Sequence, residues 1–187
     1  MRGRAANTVR RLIVLGLFVT VMAASGQTVL ASPFGQGVFG ADVPFGSATS
    51  LAIALGGNVS LNLTPNGSNF EGSGSHTITV TSTDVVGYEL YIYASGSTAM
   101  SNGTDTIPAS ANASPSSLAV NTWGYNTTGS TTNFKGITTT PTVFKTALGP
   151  YKSGDNTTVT YGVLTNITKS SGAYTSNVTY TAVALTQ

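Results

Sequence analysis

The sequence predicts an all-β chain folded as an antiparallel β-sandwich of about seven to nine strands. Three observations lead there. From Leu51 onward apolar residues recur at every second position, Gly, Asn and Ser punctuate the runs, and no segment after Ala31 repeats apolar residues at helical spacing. A period of two places one side of each strand in a core and the other in water.

Leu51, Ile53 and Leu55 alternate with small residues, and Val59, Leu61 and Leu63 alternate with Ser60, Asn62 and Thr64. The Gly56-Gly57 pair between them predicts a hairpin joining these two runs. His76, Ile78 and Val80 alternate with threonines. Val86, Tyr88, Leu90 and Ile92 oppose Glu89, Tyr91 and Tyr93. Residues 94–117 have no period and little apolar mass, which predicts a long loop. A strand is expected to start near Leu118 and end at Trp123-Gly124-Tyr125, and short strands near 133–137 and 142–146. Val159, Tyr161 and Val163 mark the next strand. The last carries Tyr174, Val178, Tyr180, Ala182 and Ala184 on one face, with Val183 and Leu185 making both faces apolar near its end. That pattern predicts a strand inside a sheet rather than at its rim.

The N-terminus has the layout of a secretory signal peptide. Arg2, Arg4, Arg10 and Arg11 precede an apolar run over residues 12–24, and Val29-Leu30-Ala31 supplies a small-residue cleavage site after Ala31. The run is short for the roughly 20 residues a membrane span needs, so cleavage is expected over retention as an anchor. Residues 1–31 are thus read as the leader, 32–47 as a Phe-Gly-rich arm, and 48–187 as the sandwich domain. The arm holds Phe34-Gly35, Phe39-Gly40 and Phe45-Gly46, and two roles stay open for it: packing on its own domain or reaching a neighbour.

Every arginine lies in the leader. Beyond Ala31 four lysines face six carboxylates, a net charge of −2, so the chain has no basic patch for phosphates and nucleic acid is excluded as a partner. The absence of cysteine excludes disulfides, thiolate metal sites and lipid attachment at a cleavage-site cysteine. If the leader is removed, no stable membrane span is expected.

Nine of the twelve asparagines beyond the leader begin Asn-x-Ser/Thr triplets: Asn58, Asn62, Asn66, Asn102, Asn112, Asn126, Asn156, Asn166 and Asn177. With Ser and Thr near a third of the residues, roughly four would arise by chance, so all nine are candidate glycosylation sites. The plainer source of the excess is the use of Asn, Ser and Thr in turns and on wet strand faces. Tyr91 and Tyr93, beside Glu89, and Trp123 with Tyr125 are candidate platforms for stacking on sugar rings; a lone Trp in a sandwich is more often core. His76 is the sole histidine and is in phase with core residues, and no nucleophile-elbow pattern accompanies it. No catalytic residue, metal site or cofactor is expected.

The stretches HTITVTSTDVVGYELYIYAS and SGDNTTVTYGVLTNITKSSGAYTSNVTYTAVA, with NTWGYN between them, resemble secreted bacterial surface proteins with an Ig-like β-sandwich, of adhesin, pilin-like or cell-wall-associated type. Trp123-Gly124-Tyr125 departs from the W-x-L signature of one cell-wall-binding type. The resemblance implies an exported or cell-surface, non-catalytic role, structural or adhesive. The expected partners are other surface subunits, met through strand exchange by the terminal strand or the arm, or host and envelope glycans stacked on the aromatic rings. A secreted carbohydrate-binding module is the alternative.

Overall fold

The computed structural model describes residues 50–185, which belong to one compact unit spanning Gly46–Gln187. The expected leader, its cleavage after Ala31 and the Phe-Gly arm lie outside the described residues. Within them the chain is all-β, with twelve strands and no helix, and forms a sandwich. No helix of the described residues is long and apolar enough to cross a membrane.

One sheet contains β1 (Ser50–Leu55), β3 (Asn69–Thr83), β11 (Asp155–Asn166) and β8 (Thr122–Asn126) in that order, with β2 (Thr64–Asn66) also paired to β3. The facing sheet runs β10 (Thr142–Leu148), β4 (Gly87–Ala94), β12 (Val178–Leu185). All these pairings are antiparallel. Two small ladders, β5 (Met100–Ser101) with β6 (Thr106–Ile107) and β7 (Ser116–Ser117) with β9 (Asn133–Phe134), break up the expected long loop.

The period-two reading places the core. Ile78 and Val80 of β3, Tyr88, Leu90 and Ile92 of β4, and Val159, Tyr161 and Val163 of β11 are all buried. A polar cluster ties the sheets together at one end. The Tyr88 hydroxyl donates to Asp155 Oδ2 at 2.7 Å, while Lys145 Nζ lies 2.8 Å from Asp155 Oδ1 and donates to Thr157 Oγ1 at 2.8 Å. Burial pushes the Asp155 carboxyl up, but Lys145 and Tyr88 together hold it below the usual carboxylate range.

Three expectations are corrected. The two runs around Gly56-Gly57 do not pair with each other. Leu55 lies opposite Ile78 of β3, Gly56 N–H donates to Thr77 O at 2.8 Å, and the hairpin forms later, where β2 meets β3 across Gly67-Ser68. Gly67 has φ +62°, and glycine first in a two-residue loop is the sequence mark of that turn. The strand expected from Leu118 begins at Thr122, after Asn121 takes a left-handed φ of +65°. Finally, β12 is an edge strand, paired only to β4 among the described residues, although its end is apolar on both faces. Val183 is 45 % exposed there.

Candidate functional site

The two sheets are of unequal length. β3 and β11 pair over twelve positions, from Asp155 opposite Val80 to Asn166 opposite Asn69, whereas the strands of the facing sheet have seven or eight residues. The first half of β3 therefore lacks a facing strand of the second sheet. Residues 58–63 lie over it instead. A methyl built on Gly72 would stand 2.6 Å from Asn62 O, and one on Gly74 would stand 2.9 Å from Ser60 O. Gly72 and Gly74 are in phase with buried Ile78 and Val80, so this segment crosses the inner face of the sheet, and the missing side chains are what admit it.

Beside that segment runs a groove of about 700 Å³. Its floor includes His76, Trp123, Tyr161 and Val163. Val59, Leu61 and Leu63 stand on one side, Tyr174, Val178 and Tyr180 on the other, and Met100 and Ile107 also line it. The volume is that of a ligand-sized cavity, roughly 300–1,000 Å³. Among the described residues, the backbone of 58–63 joins no strand ladder and forms no backbone–backbone hydrogen bond.

The floor is pinned by a chain of hydrogen bonds. His76 Nδ1 lies 2.9 Å from Gly57 O, and Nε2 lies 2.9 Å from the Tyr180 hydroxyl. A carbonyl can only accept, so Nδ1 carries the proton and donates, and with a neutral ring Nε2 accepts from Tyr180. The Tyr161 hydroxyl is then the donor to Tyr180 Oη. Trp123 Nε1 donates to Thr98 O at 2.9 Å, and the Trp123 and Tyr161 rings meet at 6.2 Å with a 38° tilt. Burial, slightly offset by the hydrogen bond to Tyr180, pushes Tyr161 up to about 12. Burial and then the Tyr161 hydroxyl push Tyr180 well above the ordinary phenol range. His76 thus makes two hydrogen bonds, and they join the groove's two sides.

The candidate stacking residues do not form one surface. Trp123 and Tyr125 are each 2 % exposed and belong to the inner face, next to Val163 and Tyr161 in register. That burial places Trp123 in the groove and removes both rings from any outer platform. Tyr91 and Tyr93 alternate with buried Leu90 and Ile92 and so lie on the outer face of β4, half-buried; Tyr91 donates to Glu89 Oε2 at 2.6 Å. The nine candidate glycosylation asparagines also divide. Asn58, Asn62, Asn66, Asn156 and Asn177 are exposed, whereas Asn126 is 1 % exposed and donates from Nδ2 to Ser130 O and Asn133 O at 2.8 Å. Asn112 donates from Nδ2 to Ser116, Ser117 and Phe134 carbonyls. A sugar attached at Nδ2 would displace such bonds, so in the folded chain Asn112 and Asn126 serve as loop organisers. Asn126-Thr127-Thr128-Gly129 carries the local signal for this role, an Asx turn with Thr128 N–H donating to Asn126 Oδ1 at 3.1 Å.

An apolar floor between two separated walls, one of them with unpaired backbone, can take an extended segment: side chains sink into the groove while the main chain adds to an open edge. Among the described residues no three metal-ligating side chains gather.

No protein-family model matches the chain, and no curated protein matches it. Among solved structures, it is similar to a chain from work described as "Chaperone-tip adhesin complex is vital for synergistic activation of CFA/I fimbriae biogenesis". The identity is 12 %, the TM-score 0.46, and the match covers 73 % of this chain and 42 % of that one. The chain thus spans less than half the length of that neighbour.

Proposed function

We propose that the protein is an exported, non-catalytic β-sandwich of the cell surface, structural or adhesive, that assembles with other subunits by strand exchange. The observation that carries this is the groove with unpaired backbone at residues 58–63, lined in alternation by Val59, Leu61 and Leu63. Supporting it are the leader-like N-terminus and a mature composition that relies on Thr, Ser and Asn rather than charge for its wet faces. Both ring nitrogens of the one histidine are engaged with Gly57 and Tyr180, which favours a structural role for it over a catalytic one. Cell fractionation with intact-mass measurement tests the reading. The product is expected in the surface or secreted fraction, lighter by residues 1–31. An intact chain confined to the cytosol would overturn it.

A second reading is favoured by one feature, the Tyr91–Glu89 pair on the outer face of β4. A tyrosine whose hydroxyl is held on a carboxylate can stack its ring on a sugar while the acid accepts from the sugar's hydroxyls. Binding on a glycan array that drops at least tenfold in Tyr91→Ala would support it, and silence across a broad array would end it. Tyr91 is outside the buried core, so this substitution is expected to spare the fold.

A further inference from the structure

We infer that Asn66 is a site of spontaneous deamidation, converted with time to aspartate and isoaspartate, and that the fold withholds the same reaction from Asn102.

The chain has two Asn-Gly dipeptides, Asn66-Gly67 and Asn102-Gly103. Glycine has no Cβ to shield its nitrogen, so both dipeptides are open to the same chemistry. The Gly nitrogen attacks Cγ of the Asn side chain. A Cγ–N bond forms, the Cγ–Nδ2 bond breaks, and Nδ2 leaves as ammonia, taking the Gly amide proton with it. Water then opens the imide ring at either carbonyl, giving aspartate or isoaspartate.

The surroundings of the two dipeptides differ at both reacting groups. Asn102 Oδ1 accepts from Thr104 N–H at 3.0 Å and from Asp105 N–H at 2.7 Å. Its Nδ2 donates to Ser170 Oγ at 3.0 Å and to Ser171 O at 3.4 Å. The nucleophile is held as well, since Gly103 N–H donates to Ser101 Oγ at 3.0 Å. Attack there must break bonds on both partners, and the loss of even two such bonds slows a reaction by at least about tenfold.

At Asn66 neither group is held. The side chain is exposed and, among the described residues, forms no hydrogen bond, and neither does Gly67 N–H. Gly67 has φ +62° and open space where a side chain would project. Asn66 opposite Asn69 is the last pair of the β2–β3 ladder, so only the hairpin tip has to open for Gly67 N to reach Cγ.

The consequences differ in the same sense. A carboxylate at position 66 is added to a solvated turn. It also removes the amide nitrogen that a sugar on the Asn66-Gly67-Ser68 triplet would need, so the two modifications exclude each other. A carboxylate at position 102 would delete both donations to Ser170 and Ser171 and stand beside Asp105, which pairs with Lys169. Residues 172–176, next in the chain, line the groove, so the protected amide is the one that supports its wall.

The test uses the mature chain, residues 32–187, made in a host that attaches no sugar to asparagine. It is aged in warm, mildly alkaline buffer, and each site is followed by peptide mapping as a gain of about 1 Da. In the folded chain Asn66 is expected to convert at least about tenfold faster than Asn102, and in denaturant the two should convert at similar rates. Ser101→Ala with Ser170→Ala removes one acceptor from each reacting group at the second dipeptide. This double variant is expected to speed Asn102 at least about threefold and leave Asn66 unchanged.

Equal rates at the two sites in the folded chain would overturn the inference. So would an Asn66 that stays intact when folded while the unfolded chain converts, or a tenfold preference for Asn66 that persists in denaturant. A double variant in which Asn102 reacts no faster would overturn the protection assigned to these hydrogen bonds.

Discussion

Gly162→Val is expected to lower the melting temperature by roughly 5–10 °C, from overpacking of about 2–3 kcal/mol. Gly162 of β11 pairs with Gly124 of β8, the edge strand of the larger sheet. Two paired glycines there would ordinarily weaken the strands, since each orders a flexible backbone and packs nothing. The Phe134 ring removes the deficit. It covers the outer side of Gly162, so that a methyl there would overlap the ring, while Phe134 Cβ and the Lys135 backbone crowd Gly124. Tyr125 N–H donates to Lys135 O at 2.9 Å and Lys135 N–H to Tyr125 O at 2.8 Å, which fixes the covering segment along β8. Phe134 is 3 % exposed, and Phe134→Ala is expected to cost about 3–5 kcal/mol. The two changes should not add, because valine at 162 would occupy space that the lost ring vacates. Denaturant titration of the two single variants and the double is the measurement. A double variant equal to the sum of the singles within about 0.5 kcal/mol would show that the ring and the glycine do not share one contact.

Parts of this arrangement were legible in the sequence and parts were not. Period-two alternation marked Ile78, Val80, Leu90, Ile92, Val159 and Val163 as core, and they are buried. Alternation shows that a residue is inward but not which neighbour it meets. Val59, Leu61 and Leu63 alternate like a strand, yet 58–63 lies on a sheet face because Gly72 and Gly74 leave room there. The groove follows from unequal strand lengths, and those depend on where pairing stops. The apolar end of β12 suggested an interior strand. Its second apolar face instead stands exposed at Val183, in an edge strand of a three-stranded sheet. The Asx-turn chemistry of Asn126 was present in the sequence, but the same residues also spelled a glycosylation triplet. Only burial separates the two roles.

Alkaline unfolding is the other large effect expected, and it bears on the groove directly. Tyr125 and Tyr161 are held up to about 12, Tyr125 by burial and then the neighbouring Tyr161, and Tyr161 by burial. Tyr88 and Tyr180 are pushed up further, again chiefly by burial. In the unfolded chain these phenols ionise near 10. Because the folded values are the higher ones, their stabilising contribution is complete below about pH 10 and is lost as pH rises towards and through the folded values. Across that window each buried phenol costs about 1.4 kcal/mol per pH unit, so Tyr125 and Tyr161 alone remove about 3 kcal/mol per unit. Against a typical domain stability of about 5–15 kcal/mol, and with Tyr88 and Tyr180 acting in the same direction, the sandwich should unfold cooperatively between about pH 11 and 12. Tyrosinate absorbance from the buried rings should then rise in a steep step that coincides with loss of the β-sheet circular dichroism signal. Tyr125→Phe isolates the cause: it removes one ionisable group and keeps the ring under Lys135 Nζ, 5.1 Å from its centroid. It should flatten the alkaline limb by about 1.4 kcal/mol per pH unit and change neutral stability little. If all the tyrosines titrate near 10 in a chain that remains folded, the phenols at the groove floor are not buried as described. Since His76, Tyr161 and Tyr180 join the groove's two sides, the same pH rise should release any strand seated between them no later than the sheets separate.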